Sequence, residues 1–143
     1  MLHIIAGGKP HKGEYYWLIE DYRKKCRPPF DFDFTFYEEE KLSVFLENWQ
    51  FPPDAFVILA DERGKELFSP EFAELLQEEF NYSREVYIVI GGPFGVTQEV
   101  RDRAHFVWSF GKLVFPHMLA RLIVSEQIYR AHEIARGSHY HHA

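Results

Sequence analysis

Ten residues, Val86-Tyr-Ile-Val-Ile-Gly-Gly-Pro-Phe-Gly95, constrain this chain more than any others. Val86 to Ile90 is apolar at every position, not at every second one. That is the pattern of a strand covered on both faces, as in the middle of a parallel sheet. Two adjacent glycines end the run, and Gly95 follows in the same turn. Glycine allows φ > 0 and carries no Cβ, so main-chain groups there can meet a ligand directly. In open α/β sheets, ligands settle beyond the carboxyl ends of the strands. The turn is therefore the first candidate for a site, although a tight strand-to-helix turn without a ligand has the same composition.

The rest of the chain supplies strands and helices in alternation. Leu2–Ala6 reads as a first strand closed by Gly7-Gly8, and a helix is expected from about Gly13 to Lys25. Pro28-Pro29 stops it. Phe30-Asp-Phe-Asp-Phe-Thr-Phe36 alternates with the period of a half-buried strand. Glu38–Trp49 follows as a short helix, and Phe56–Leu59 as a third buried strand. Asp61-Glu-Arg-Gly-Lys65 reads as a polar loop, and Ser69 before Pro70 reads as a helix N-cap. A further helix capped by Thr97 is expected to carry Val100, Ala104 and Val107. This order predicts an α/β fold with a largely parallel sheet in one domain spanning residues 1–143.

From His117 to Arg136 there is no Pro or Gly, so a long last helix is expected, stopped at Gly137. It is apolar on two faces, Leu119, Leu122 and Ile123 on one and Val124, Ile128, Ala131 and Ala135 on another. A helix near the end of a small domain should be wet on one side. A second apolar face predicts contact with another subunit. The tail, Ser138-His-Tyr-His-His-Ala143, is polar.

Several classes are excluded. No apolar run reaches the roughly 18 residues of a membrane span, and the first residues lack the basic and long apolar regions of a signal peptide. Cys26 is the only cysteine, so no intrachain disulfide can form and a cytoplasmic setting is expected. Gly91-Gly-Pro-Phe-Gly95 is neither a Walker A loop nor a dinucleotide fingerprint. The tail histidines His139, His141 and His142 have no other ligand at fixed spacing, so no metal site is expected. The net charge of −6 argues against a generic nucleic-acid binder. Yet residues 101–143 hold six Arg/Lys against three acids, and a local basic face can bind RNA whatever the total.

Three stretches taken together are more specific than any one. They are Val57-Ile-Leu-Ala-Asp-Glu-Arg-Gly-Lys65 with Ser69 and Glu71-Phe-Ala73; Ile90-Gly-Gly-Pro-Phe-Gly95; and Ser109-Phe-Gly-Lys-Leu-Val-Phe-Pro-His117, continued by Arg121, Glu126-Gln-Ile-Tyr-Arg-Ala131 and His139-Tyr-His141. In this order and spacing the chain resembles the RlmH-type ribosomal RNA methyltransferases of the SPOUT class. The likeness runs from about residue 55 to the end. Residues 1–25 match weakly, and the segment around 36–50 is shorter than is usual in the family.

The resemblance implies a parallel sheet flanked by helices, with the C-terminal segment threaded as a deep trefoil knot, and a homodimer. It implies transfer of a methyl group from S-adenosylmethionine to N3 of a pseudouridine in large-subunit (23S) rRNA on the assembled ribosome. By motif position the cofactor would meet Leu59, Gly91 and the run Phe110, Gly111, Lys112, Leu113, Val114 and Phe115. The acceptor imide must lose a proton, so a base or a cation near it helps. His117, Tyr140 and His141 are the candidates, with Arg121 or Arg130 on phosphate. A helix-capping role for His117 stays open. The rival reading is a knotted dimer that binds a nucleoside-like ligand or RNA without turnover.

Overall fold

The structure, a computed structural model, describes residues 2–92 and 95–142. Pro93 and Phe94 of the glycine turn lie outside the described residues. The chain alternates β1 (Leu2–Gly7), α1 (Glu14–Lys25), β2 (Phe32–Tyr37), α2 (Glu39–Glu47), β3 (Phe56–Glu66), α3 (Ser69–Asn81), β4 (Val86–Ile90), α4 (Gln98–Arg103), β5 (Phe106–Ser109) and α5 (His117–Ala135). The five strands are parallel in the order β2-β1-β4-β3-β5. This is the expected α/β architecture.

Strand β4 is central, between β1 and β3, with Ile88 opposite both Ile4 and Ile58. Its uninterrupted apolar run is explained by two cores, one on each face. Val86, Ile88 and Ile90 join Leu2, Ile4, Phe72, Leu76, Val124 and Ile128 under α1, α3 and α5. Val89 joins Ile5, Leu42, Leu46, Leu59 and Val100 under α2 and α4. Burying a Leu, Ile or Phe stabilises by roughly 1.5–3 kcal/mol each, so two shared cores fix β4 firmly.

Three local expectations need correcting. The polar stretch Asp61–Lys65 is not a loop but part of β3, which runs to Glu66 and pairs Lys65 with Trp108 and Glu66 with Ser109 after an irregularity. The close approach requires Gly64, because a Cβ there would stand 2.4 Å from the Val107 carbonyl oxygen. The helix after Thr97 ends at Arg103, since Ala104 turns to extended geometry (ψ 144°), and Val107 belongs to β5. Ser69 does not cap α3 with its side chain. Its hydroxyl donates to Gln127 Oε1 (2.7 Å), while the Glu71 carboxylate accepts the Phe68 N–H (2.8 Å) at the helix start. Thr97 does cap α4, accepting the Val100 N–H at 3.3 Å.

Among the described residues no helix is long and apolar enough to cross a membrane. Cys26 is buried, and its thiol is pushed up to about 12 by burial, then by Glu133 and Asp31, which leaves it inert near neutral pH.

Candidate functional site

The carboxyl ends of β3, β4 and β5 open into one cavity of about 430 Å³. Ala60 to Arg63 of β3 form one wall and Ile90, Gly91, Gly92 and Gly95 a second. Trp108 and the segment after β5 form a third, and His117 and Ala120 of α5 close it. Of the eight residues assigned to a cofactor by sequence, Gly91, Phe110, Gly111, Leu113, Val114 and Phe115 line this cavity. Leu59 does not: its side chain is 1% exposed and packs in the core under α2 and α4, one residue before Ala60. Lys112 is exposed and is not on the wall. Gly111 has φ 124°, a conformation that favours glycine, and Ser109 Oγ both accepts the Gly111 N–H (3.1 Å) and donates to its carbonyl (3.0 Å).

An ion pair organises the opposite wall. Arg101 Nη1 lies 3.3 Å from Asp61 Oδ2, with both side chains 11% exposed, and donates to the Val96 carbonyl at 2.9 Å. Asp61 Oδ1 also accepts the Arg63 N–H (2.9 Å). The pair thus ties β3, the end of the glycine turn and α4 together. Sequence reading passes over it because forty residues separate the partners and Asp61 looks like an ordinary loop carboxylate.

His117, the first residue of α5, lines the cavity, so the expectation of a site role and the geometry meet there. Arg121, one turn further, is 0% exposed and offers no free surface to a phosphate from outside. Its Nη1 donates to the Lys9 carbonyl (2.9 Å) and its Nη2 to the Gly7 carbonyl (3.0 Å), while the guanidinium lies 4.9 Å from the centre of the Phe36 ring. Burial lowers its pKa, the direction expected when a charge leaves water.

The tail candidates lie elsewhere. Tyr140 donates to Glu126 Oε1 (3.3 Å), packs edge-on to Tyr129 with ring centres 4.8 Å apart, and stands under the Arg130 guanidinium at 4.8 Å. His141 Nδ1 is 3.1 Å from Arg130 Nη1, and Arg130 Nε donates to Glu126 Oε1 at 2.8 Å. Burial first, and then the Glu126 carboxylate, push the Tyr140 phenol up, so it stays protonated near neutral pH. Arg130 is thirteen residues beyond His117 on α5. At 1.5 Å per residue that is about 20 Å along the axis. Within one chain, therefore, Tyr140, His141 and Arg130 form one cluster and His117 with the cavity another.

Comparison with known proteins agrees with this architecture. The family described as "Predicted SPOUT methyltransferase" matches residues 1–141. A relative from Bacteroides fragilis, "Ribosomal RNA large subunit methyltransferase H", is 35% identical over 152 residues, covering 97% of each chain. Proteins of the same name from Cereibacter sphaeroides and Carboxydothermus hydrogenoformans are each 48% identical, over 62% of this chain. Those two matches span 57% of the relatives' own length. A solved structure, described as "a probable methylase family protein from Haemophilus influenzae Rd KW20", superposes with a TM-score of 0.62. It covers 99% of this chain and 70% of its own at 14% identity, which speaks for the fold alone. The family match takes in every strand of the sheet and every wall of the cavity, so the chain belongs to the SPOUT methyltransferase family.

Proposed function

We propose that this chain methylates large-subunit (23S) rRNA, taking the methyl group from S-adenosylmethionine and delivering it to N3 of a pseudouridine on the assembled ribosome. The observation that carries the reading is the single cavity into which six of the eight expected cofactor residues converge, with His117 on its rim. The full-length likeness to the Bacteroides methyltransferase supports the substrate class. The donor set fits an adenosine with an amino-acid tail. Phe110, Leu113, Val114 and Phe115 give apolar and aromatic surface, while Gly91, Gly92 and Gly111 leave main-chain groups open to polar edges. Bound there, S-adenosylmethionine supplies an electrophilic methyl on a sulfonium.

The chain's own residues have two tasks. They must hold the acceptor nitrogen in line at ~3–3.5 Å from the methyl. They must also remove or stabilise the imide proton. An imidazole nitrogen of His117 is placed for the second task. Tyr140, kept protonated by burial, serves as a donor that positions the base, and His141 with Arg130 adds polar contact. Since that cluster and His117 are about 20 Å apart along α5 in one chain, both serve one reaction only across a homodimer, one subunit's tail meeting the other's cavity. Trp17, 69% exposed, and Leu18, 48% exposed, on α1 beside α5 supply apolar surface for such a contact. The knotted threading of the C-terminal segment and a setting in the cell interior belong to the same reading.

The test pairs a calorimetric titration of S-adenosylmethionine with radiolabelled methyl incorporation into ribosomes that lack the modification. The expected result is binding, transfer to 23S rRNA and a dimer by light scattering. Cofactor binding without transfer to any ribosomal preparation would replace this reading by a non-catalytic ligand-binding dimer. A clean 17.0 kDa monomer that is fully active would remove the tail from the site.

A further inference from the structure

Glu133 stands where electrostatics disfavours an acid. It lies in the last turn of α5, where the free carbonyl ends of the helix repel negative charge. The residue is only 6% exposed, and burying a carboxylate is costly unless donors surround it. Ser138 Oγ donates to Oε1 at 3.0 Å, and Oε2 lies 2.8 Å from His132 Nδ1 and 3.4 Å from Arg136 Nη1. The Arg136 side chain is solvent-exposed and adds little. An ionised carboxylate only accepts, so the His132 proton sits on Nδ1. His132 is itself buried, held between the Phe30 ring, edge-on at 5.9 Å, and the Tyr129 ring, stacked at 6.1 Å. The carboxylate therefore has a fixed seat, with Oε1 turned to the tail.

The end of the helix does not need that carboxylate. Gly137 turns the chain at φ 73°, its N–H donates to the Ile134 carbonyl at 3.1 Å, and the Ser138 N–H donates to the Glu133 carbonyl at 3.1 Å. Any residue at 133 supplies that last acceptor. What the side chain adds is the orientation of the Ser138 hydroxyl. With its one proton given to Glu133, Ser138 Oγ is left as an acceptor, and the Tyr140 N–H meets it at 3.3 Å. The line His132–Glu133–Ser138–Tyr140 thus runs from the buried end of α5 into the tail. It sets the course of the main chain just before the Tyr140 ring packs on Tyr129 and under Arg130.

We propose that Glu133 is a positioning residue for methyl transfer: acting through the Ser138 hydroxyl, its carboxylate fixes the place at which Tyr140 and His141 are presented to the substrate base. This rests on the methyltransferase reading given above and on the part it gives to the tail. Glu133 itself touches no substrate. Its leverage comes from geometry, because Ser138 is the pivot of a short segment without secondary structure. Two residues span about 7 Å, so a swing of about 10° at Ser138 carries Tyr140 by about 1 Å. A displacement of that size can cost on the order of a hundredfold in rate. Main-chain bonds alone leave such a swing open, and the bonded hydroxyl closes it.

The experiment measures kcat and KM for methyl transfer to ribosomes, S-adenosylmethionine affinity by calorimetry, and hydrogen exchange at the Tyr140 amide. The full chain is compared with Glu133→Ala, Glu133→Gln, Ser138→Ala and the double variant Glu133→Ala/Ser138→Ala. Glu133→Ala and Ser138→Ala should each lower kcat by about tenfold, less than loss of the whole tail because the Tyr140 ring contacts remain. Cofactor affinity should stay, and Tyr140 amide exchange should quicken in both. The double variant should be no worse than either single one, since both break the same link. Glu133→Gln should restore most of kcat, its amide oxygen still accepting from Ser138. Ser138→Ala, changed in the tail and outside the core, keeps the test decisive if Glu133→Ala does not fold. Unchanged kcat in Ser138→Ala overturns the proposal. So does a double variant whose loss is the product of the two single losses, or a fall in cofactor affinity that accounts for the whole effect. The truncation lacking residues 138–143 separates the layers. If it is impaired while the substitutions are fully active, this proposal alone falls. If it is fully active, the part given to the tail falls and the positioning role with it, and a full chain that transfers no methyl overturns the methyltransferase reading itself.

Discussion

Replacing Arg101 by alanine tests whether the Asp61–Arg101 pair holds the glycine turn over the cavity. The side chain makes three kinds of contact: the 3.3 Å ion pair to Asp61, the 2.9 Å hydrogen bond to the Val96 carbonyl, and bonds to Gln98 Oε1 at 3.1 and 3.2 Å from Nη2 and Nε. Breaking a fully buried pair costs about 3–5 kcal/mol, and an exposed one is worth about 0–1. Here both partners are 11% exposed on the wall of an open cavity, which places the pair between those limits. Adding the hydrogen bond to Val96 at about 1 kcal/mol gives roughly 2 kcal/mol for the substitution. With a urea dependence of about 2 kcal/mol per molar, the unfolding midpoint should fall by about 1 M. Val96 lines the cavity, so its loosening should also weaken S-adenosylmethionine binding, by about tenfold for 1.4 kcal/mol. Asp61→Asn alone should cost less, and a double-mutant cycle should return a coupling of about 1 kcal/mol. A midpoint within about 0.2 M of wild type, together with unchanged cofactor affinity, would refute the argument that this pair positions the turn.

Three other perturbations have defined outcomes. Gly64→Ala puts a methyl 2.4 Å from the Val107 carbonyl, backbone that cannot swing aside, so it should cost about 2–3 kcal/mol and lower the melting temperature by about 5–10 °C. His11 has its pKa lowered, by burial first and then by Arg121, so the unfolded chain binds more protons than the folded one as pH falls through 6.5. Stability should therefore drop on acidification across that range, and His11→Gln should flatten the dependence of the urea midpoint on pH. Deleting residues 138–143 removes the Ser138–Glu133 and Tyr140–Glu126 contacts but no core apolar residue, so cofactor affinity should stay while methyl transfer falls by about a hundredfold or more. Full activity of that truncation would take Tyr140 and His141 out of the reaction.

What the sequence disclosed follows what burial writes into it. Val86–Ile90 was readable because both its faces are covered, and a residue covered from either side must be apolar. The continuation of β3 through Asp61–Glu66 was not, because it runs beyond the two cores: main-chain pairing with β5 and the bare Cα of Gly64 hold it, and neither leaves an apolar signature. Val107 fits a helical period from Val100, yet the helix stops at Ala104. The 3.6 period of α5 likewise shows which residues share a face but not that Arg121 is, among the described residues, the largest wholly buried side chain. Glycine content and family likeness together pointed to Gly91, Phe110, Gly111 and residues 113–115, which line the cavity, but also to Leu59 and Lys112, which do not.

The cavity lies beside the point where the topology reverses. From β1 the chain crosses through α1 to β2 on one side, while from β4 it crosses through α4 to β5 on the other, past β3. Adjacent parallel strands whose connections leave in opposite directions open a crevice at their carboxyl ends. Gly7 and Gly92 stand at that point, so close that a Cβ on Gly7 would lie 2.9 Å from the Gly92 nitrogen. That contact leaves no room for a side chain on Gly7, while a Cβ on Gly92 would fall 1.2 Å from Glu39 Oε1 of α2. On the β4 side the crevice deepens into the cavity; on the β1 side it carries the turn at Gly8, and α5 spans both with His117 between them.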